Sequence, residues 1–281
     1  MNVVRTRAEV RRAVAAARRA GREIAFVPTM GALHEGHLSL VRAARATGAS
    51  VVVSIFVNPL QFGPGEDLDA YPRDEDRDVD LLRAEGADVV FLPPVEEMYP
   101  PGRATVVRVA GVSDPLEGAQ RPGHFDGVAT VCAKLFNIVT PDRVFFGQKD
   151  AQQVAVLRRM ILDLDFSLEL VVCPTVREPS GLARSSRNVY LSESERESAA
   201  ALFRSLRAGE PFARRGEFGE AERAMREVLD AAPAVATDYA RVVDPDTFGA
   251  PRPDAPVLLA VAARVGPARL IDNLLVEPTR T

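Results

Sequence analysis

With 281 residues, 47% of them hydrophobic, the chain can build one large domain or two ordinary ones around a real core, which excludes disorder. A formal net charge of −4 without any Lys/Arg-rich run argues against a nucleic-acid face. No apolar run approaches the ~20 residues of a membrane span.

Thr6-Arg7-Ala8-Glu9 is a capping box that opens a helix with Val10 and Val14 on one face, and Gly21 ends it. The Arg-rich, acid-poor start superficially resembles a transit peptide, but the cap and the apolar face make it a native first helix. Glu23-Ile24-Ala25-Phe26-Val27 then reads as a short buried strand. After it comes Val27-Pro28-Thr29-Met30-Gly31-Ala32-Leu33-His34-Glu35-Gly36-His37, and beyond that Leu38, Leu40, Val41 and Ala44 recur at helical spacing. A strand, a glycine-bearing turn and a helix N-terminus make an anion site, because unpaired N–H groups and the positive end of the helix dipole face the cleft. Two of the three histidines sit here, separated only by Glu35 and the small Gly36. No third His and no nearby Cys completes a zinc set, so a nucleotide phosphate is the better fit.

Ser50 to Val57 is a continuous apolar run suited to a sheet buried on both faces. At its carboxyl end, where open parallel sheets bind ligands, stand Asn58-Pro59-Leu60-Gln61-Phe62-Gly63. Asn58 and Gln61 either cap a turn or offer amides to a polar substrate; spacing does not choose. The acid-rich stretch from Glu66 to Asp80 reads as a loop entering a helix with a solvated face, a magnesium role for one acid being the minor alternative. Asp88 to Leu92 is a strand, a proline-rich connection follows, and Ala104 to Val109 is β-rich. Glu117 to Gly127 is a polar loop before an apolar helix from Val128 to Val139. Its part from Arg121 to Gly127 is either a flap over a site or a plain connector.

Arg143 to Phe146 is a strand, and Gly147-Gln148-Lys149-Asp150 leads into a helix with Val154, Leu157, Ile161 and Leu164 on its buried face. Of the 35 basic residues only Lys134 and Lys149 are lysines. A lysine kept in so arginine-rich a chain points to a need for a compact ammonium, here one within reach of phosphate oxygens, and Asp150 beside it suits a ribose or a metal. Leu168 to Cys173 is a further strand, and the two cysteines, Cys132 and Cys173, read as core residues in a reducing compartment. Composition shifts at Pro174 to Pro179, which sets domains 1–174 and 175–281. Beyond lies the hydroxyl- and guanidinium-rich Arg184-Ser185-Ser186-Arg187-Asn188, suited to a triphosphate or simply to a turn. Ser192 to Glu195 caps a long helix, a second amphipathic helix carries Ala221, Met225 and Leu229, and three β-like runs (238–243, 256–264 and 269–276) close the chain.

Taken together and in this order, His34-Glu35-Gly36-His37, Asn58 to Phe62, Gly147 to Gln153 and Ser185 to Asn188 closely resemble the pantoate–β-alanine ligase (pantothenate synthetase) family. That family is one of the His-x-Gly-His nucleotidyltransferases, and the resemblance spans almost the whole chain. It implies an α/β fold: a Rossmann-like parallel-sheet N-terminal domain and a smaller α+β C-terminal domain that closes over ATP. It also implies a cytoplasmic homodimer using ATP and Mg²⁺. The implied reaction joins (R)-pantoate to β-alanine through a pantoyl-adenylate, releasing pyrophosphate and AMP.

By position the resemblance assigns ATP to Met30, Gly31, Ala32, Leu33, His34, Glu35, Gly36, His37, Gly147, Gln148, Lys149, Asp150, Val176, Arg184, Ser185, Ser186 and Arg187. The catalytic set is His37, His34 and Lys149. Gln61 and Gln153 take pantoate, with Gln61 also near β-alanine, and Asn58 and Arg121 join the substrate-binding set; no magnesium ligand is assigned. Arg184 stands where the family commonly has methionine, and Gln148 where some members have glutamate. The competing functions are another His-x-Gly-His nucleotidyltransferase, whose phosphoanhydride persists as product, or a non-catalytic adenine-nucleotide-binding module. A tRNA synthetase is disfavoured, because no anticodon-binding domain or basic face is present.

Overall fold

The box of Thr6 and Glu9 forms as expected in the computed structural model, which describes residues 1–279. The chain divides into two compact units, one of Met1–Gly147 with Val156–Cys173 and one of Gln148–Ala155 with the chain from Pro174 on.

In the first unit, β1 (Asn2–Val4), a strand too short to signal itself, precedes α1 (Arg7–Arg19). Then come β2 (Ile24–Thr29), α2 (Glu35–Ala46), β3 (Ser50–Ile55), α3 (Glu75–Ala84), β4 (Val89–Phe91) and the short α4 (Val95–Met98) and α5 (Glu117–Gln120). After these follow α6 (His124–Val139), β5 (Arg143–Gly147), α7 (Ala151–Asp163), whose first residues group with the second unit, and β6 (Glu169–Cys173). The six strands are all parallel, in the order β1-β4-β3-β2-β5-β6. The chain builds outward from β2 through β3, then returns to add β5 on the other flank. The order therefore reverses between β2 and β5, where doubly wound sheets open a crevice at their carboxyl ends. Val27, Val51, Val53 and Val90 pack under Leu40, Val41 and Ala44 of α2 in one apolar core.

Three expectations for this unit shift. Ala104 to Val109 forms no strand. The helix expected from Val128 begins at His124, because Gly123 takes a left-handed φ of 82° and starts the turn early. Leu164 lies beyond the end of α7 and is exposed, while Met160 is buried with Val154 and Leu157.

The second unit holds α8 (Glu193–Ala199), α9 (Ala201–Arg214), α10 (Phe218–Asp230), β7 (Val235–Val243), β8 (Val257–Val265) and β9 (Ala268–Val276). The long helix expected after Ser192 is thus two helices, meeting at Ala200. The three strands form an antiparallel sheet, β7-β8-β9, covered by Leu202 and Leu206 of α9 and by Ala221, Met225 and Leu229 of α10. A Rossmann-like parallel sheet and a smaller α+β unit are the architecture expected above. Among the described residues no helix is long and apolar enough to cross a membrane.

Candidate active site

The carboxyl end of β2 is where the first set of candidate residues gathers. The Thr29 hydroxyl donates to the Ser54 carbonyl (2.8 Å) and accepts the Gly31 N–H (3.2 Å), which starts the turn. Gly31 (φ 82°) and Ala32 (φ 49°) are both left-handed, and only the glycine adopts that freely. The turn is held from α3: the Asp78 carboxylate, its side chain 2% exposed, accepts the Leu33 N–H at 2.9 Å. Burial pushes the Asp78 pKa up, against the pull of the Leu33 and Ala32 N–H groups and Arg77. The acid-rich stretch is therefore not wholly a solvated face, since one of its acids is an internal brace.

His34 is the N-cap of α2, and its Nδ1 accepts the Gly36 N–H (3.1 Å). His37 reaches back, its Nδ1 accepting the His34 N–H (3.4 Å). The two rings therefore fill the roles usually taken by Ser and Glu in a capping box, with centroids 4.1 Å apart. A neutral imidazole accepting at Nδ1 carries its proton on Nε2, so Nε2 is the donor nitrogen of each ring. Glu35 turns away, paired with Arg42 on the surface.

Asn58 caps the single 3-10 turn Pro59–Gln61 through Oδ1 to the Leu60 N–H (3.3 Å). The same oxygen accepts the Tyr99 hydroxyl (2.8 Å), while Nδ2 donates to the Gln61 Oε1 (3.0 Å) and the Gly127 carbonyl (3.1 Å). At 1% exposure, Asn58 is a turn cap that also fixes the Gln61 amide, whose Nε2 points to the Met30 sulfur (2.9 Å). Gly127 makes room for this turn: a Cβ there would stand 2.6 Å from the Gln61 nitrogen and closer still to the Leu60 carbonyl.

Arg121 is pinned between partners. It forms a double hydrogen bond with Glu66 (2.6 and 3.0 Å), donates to the Gln61 carbonyl (3.3 Å) and donates to the His124 Nε2 (3.0 Å). The other ring nitrogen of His124 donates to the same Gln61 carbonyl at 2.8 Å. Burial, and next the Arg121 charge, bring the His124 pKa down to about 4, so the ring is neutral. Burial opposes the ionisation of Glu66, but the Arg121 pairing outweighs it and leaves the pKa lowered. The segment read as a possible flap is thus fastened to the acid-rich loop by an ion pair, and its last residues are the first turn of α6.

The second unit carries the other candidates. Gln148–Asp150 is a 3-10 turn entering α7, with Lys149 Nζ 3.9 Å from Asp150, and Gln153 lies half-buried in the first turn of that helix. Asn273 of β9 holds the turn from behind, donating to the carbonyls of Gln148 (3.0 Å) and Lys149 (2.8 Å). The loop after Pro174 is tied at its neck, where the Arg184 N–H donates to the Val176 carbonyl (2.9 Å) and Arg177 bridges to Ala183. Ser185 then caps the 3-10 turn Ser186–Tyr190, accepting the Arg187 N–H at 3.2 Å. Arg184 stands 3.6 Å from Glu178, which also pairs with Arg196 (2.8 Å), so an acid answers the extra charge at this position.

A nucleotide-type turn at the switch of a parallel sheet, followed by a lysine turn and a serine–arginine turn, has close relatives. A family model described as pantoate-beta-alanine ligase matches residues 2–275. The chain belongs to the pantoate–β-alanine ligase family. A pantothenate synthetase of Roseiflexus castenholzii is 56% identical over 280 residues, 99% of this chain and all of that one. The crystal structure of pantothenate synthetase from Thermus thermophilus superposes with a TM-score of 0.92 at 52% identity, covering 99% of this chain and 100% of that one. A Francisella tularensis pantoate-beta-alanine ligase, solved with beta-gamma ATP and beta-alanine, gives 0.81 at 33% identity, covering 98% and 97%. The chain is an enzyme, a ligase of the kind its family name states, as the four motifs implied.

Asp78, Tyr99 and the Asp272–Asn273 pair are not among the residues singled out by the sequence. Only the last left a signal, two polar residues inside the apolar run of β9.

Proposed function

We propose that the enzyme activates pantoate with ATP as a pantoyl-adenylate and that the β-alanine amine then displaces AMP. The observation that carries this reading is the double imidazole cap at the mouth of α2, beyond β2 of the parallel sheet, in a member of this family. A relative solved with beta-gamma ATP and beta-alanine supports both ligands.

Pantoate's carboxylate is ionised near neutral pH, so the first step needs no general base. It needs in-line placement and relief of the charge that builds on the α-phosphate and the departing pyrophosphate. In this reading His37 and His34 donate from Nε2 to that charge, with Lys149, Ser185, Ser186 and Arg187 sharing the pyrophosphate. The backbone from Met30 to His37, Gly147 to Asp150, Val176 and Arg184 complete the nucleotide set. Gln61 and Gln153 bind pantoate, with Asn58 and Arg121 acting there largely by fixing Gln61. In the second step a neutral β-alanine amine attacks the acyl carbon, and AMP leaves. Magnesium would travel with the triphosphate and offset its charge; among the described residues no cluster of three or more His, Cys, Asp or Glu side chains is placed to hold a metal, and none is assigned to it. A cytoplasmic homodimer completes the proposal.

The test is product release from ATP with the two substrates supplied together and separately. Pyrophosphate should appear with pantoate alone, and AMP only after β-alanine is added. A persistent adenylylated product would favour another nucleotidyltransferase, and ATP binding without turnover would favour a binding module.

A further inference from the structure

Lys149 sits on a single 3-10 turn, Gln148–Asp150, whose carbonyls are held from outside the turn. One side chain of β9 holds them. The Asn273 amide has two N–H donors, and both are used on successive carbonyls of that turn, Gln148 (3.0 Å) and Lys149 (2.8 Å). Its oxygen accepts the Gln148 Nε2 at 3.1 Å, so the whole amide is spent on residues 148 and 149.

Asn273 is itself clamped. Its N–H donates to the Asp272 Oδ1 (2.8 Å) and its carbonyl accepts from Arg177 (3.4 Å). Asp272 and Arg177 form a two-pronged pair at 2.6 and 2.9 Å, the Asp272 side chain is 2% exposed, and the guanidinium lies 4.0 Å over the Phe203 ring. Stability alone does not call for such a device in an apolar strand, since a buried ion pair is often matched or bettered by apolar residues of the same volume. What it provides is geometry: the Asn273 backbone is held by Asp272 at its N–H and by Arg177 at its carbonyl.

We infer that Asn273 is a positioning residue that aims Lys149, with the Asp272–Arg177 pair holding Asn273 in place. The inference rests on the assignment of Lys149 to the nucleotide phosphates. A positioning residue acts only through the group it aims, so its loss should matter little once that group is gone.

The experiment compares pyrophosphate release from ATP and pantoate by the wild type, N273A, K149A and the double variant. N273A should slow the step about tenfold at saturating ATP, as expected of a misaimed group, while leaving the KM for pantoate within about twofold. In the K149A background N273A should cost less than about twofold. Equal costs in both backgrounds, or N273A as fast as wild type, would overturn the inference. K149A running at the wild-type rate would instead remove the assignment beneath it, whatever N273A does. Should N273A fail to fold, N273D keeps the shape and opposes a carboxylate to two carbonyls. Its cost should likewise fall below about twofold in the K149A background, and an equal cost in both backgrounds overturns the inference.

Discussion

His34 and His37 cap the same helix reciprocally, His34 through Nδ1 to the Gly36 N–H and His37 through Nδ1 back to the His34 N–H. One nitrogen of each ring is therefore committed to the cap, and this makes Nε2 the nitrogen that carries the proton. Capping and donation are separable by mutation. H34N should keep the cap, because asparagine is among the best N-cap residues, and melt within a few degrees of wild type. It should nevertheless lose about 10²-fold in pyrophosphate release, the usual cost of one well-aimed donor. H37A should lose at least as much and also about 1 kcal/mol of stability. A wild-type rate in either variant refutes the donor role.

Lys149 should not tolerate arginine. A planar guanidinium is wider than an ammonium and presents a fixed fork, so K149R should fall in rate nearly as far as K149A, roughly 10²-fold. Single-turnover pyrophosphate release measures this. Recovery to within about threefold by K149R would show that only charge matters there.

Gln61 and Asn58 should behave as one unit. Q61A is expected to weaken pantoate far more than ATP in calorimetry, and N58A should do the same because it frees the Gln61 amide. Losing a hydrogen bond and leaving a buried partner unpaired costs about 1–3 kcal/mol, a drop of roughly 5- to 150-fold in pantoate affinity. Equal losses for both ligands would refute the assignment.

Gly127 gives a packing prediction at the same turn. G127A places a methyl against the Leu60 carbonyl and the Gln61 nitrogen. The expected cost is about 1–3 kcal/mol, with weaker pantoate binding because the 3-10 turn must move. Urea unfolding reads the first effect and calorimetry the second; an unchanged midpoint would mean that the turn yields freely.

His124 sets a pH dependence. Its pKa is about 4 when folded, against about 6.5 in the unfolded chain. Between those values the unfolded chain holds a proton that the folded chain does not, so stability rises with pH and is lost as pH falls from about 6.5 toward 4. The slope from this group is at most about 1.4 kcal/mol per pH unit. H124F should flatten that part of the urea-unfolding profile between pH 6.5 and 4.5, and an identical slope in the variant would exclude His124 as the source.

The elements came readily from local chemistry. Thr6 with Glu9 and Ser192 with Glu195 mark helix starts because a cap satisfies orphan N–H groups within three residues, and β3 announces itself as an unbroken apolar run. Where element bounds shifted, the cause lay in adjacent backbone: α6 starts early because a left-handed Gly123 turns the chain there, and Leu164 emerges from the core because α7 has already ended.

The sequence by itself determined the kind of fold, the histidine-bearing turn and the family, since each is written in contiguous residues whose spacing carries the chemistry. Only the tertiary structure decided which groups are braces. Asp78 looks like one acid among many until its carboxylate is seen on the Leu33 N–H, and Asn273 reaches Gln148 and Lys149 across more than a hundred residues. Burial and long-range pairing are properties of the folded chain, and a hydrogen bond leaves no trace in the spacing of residues so far apart.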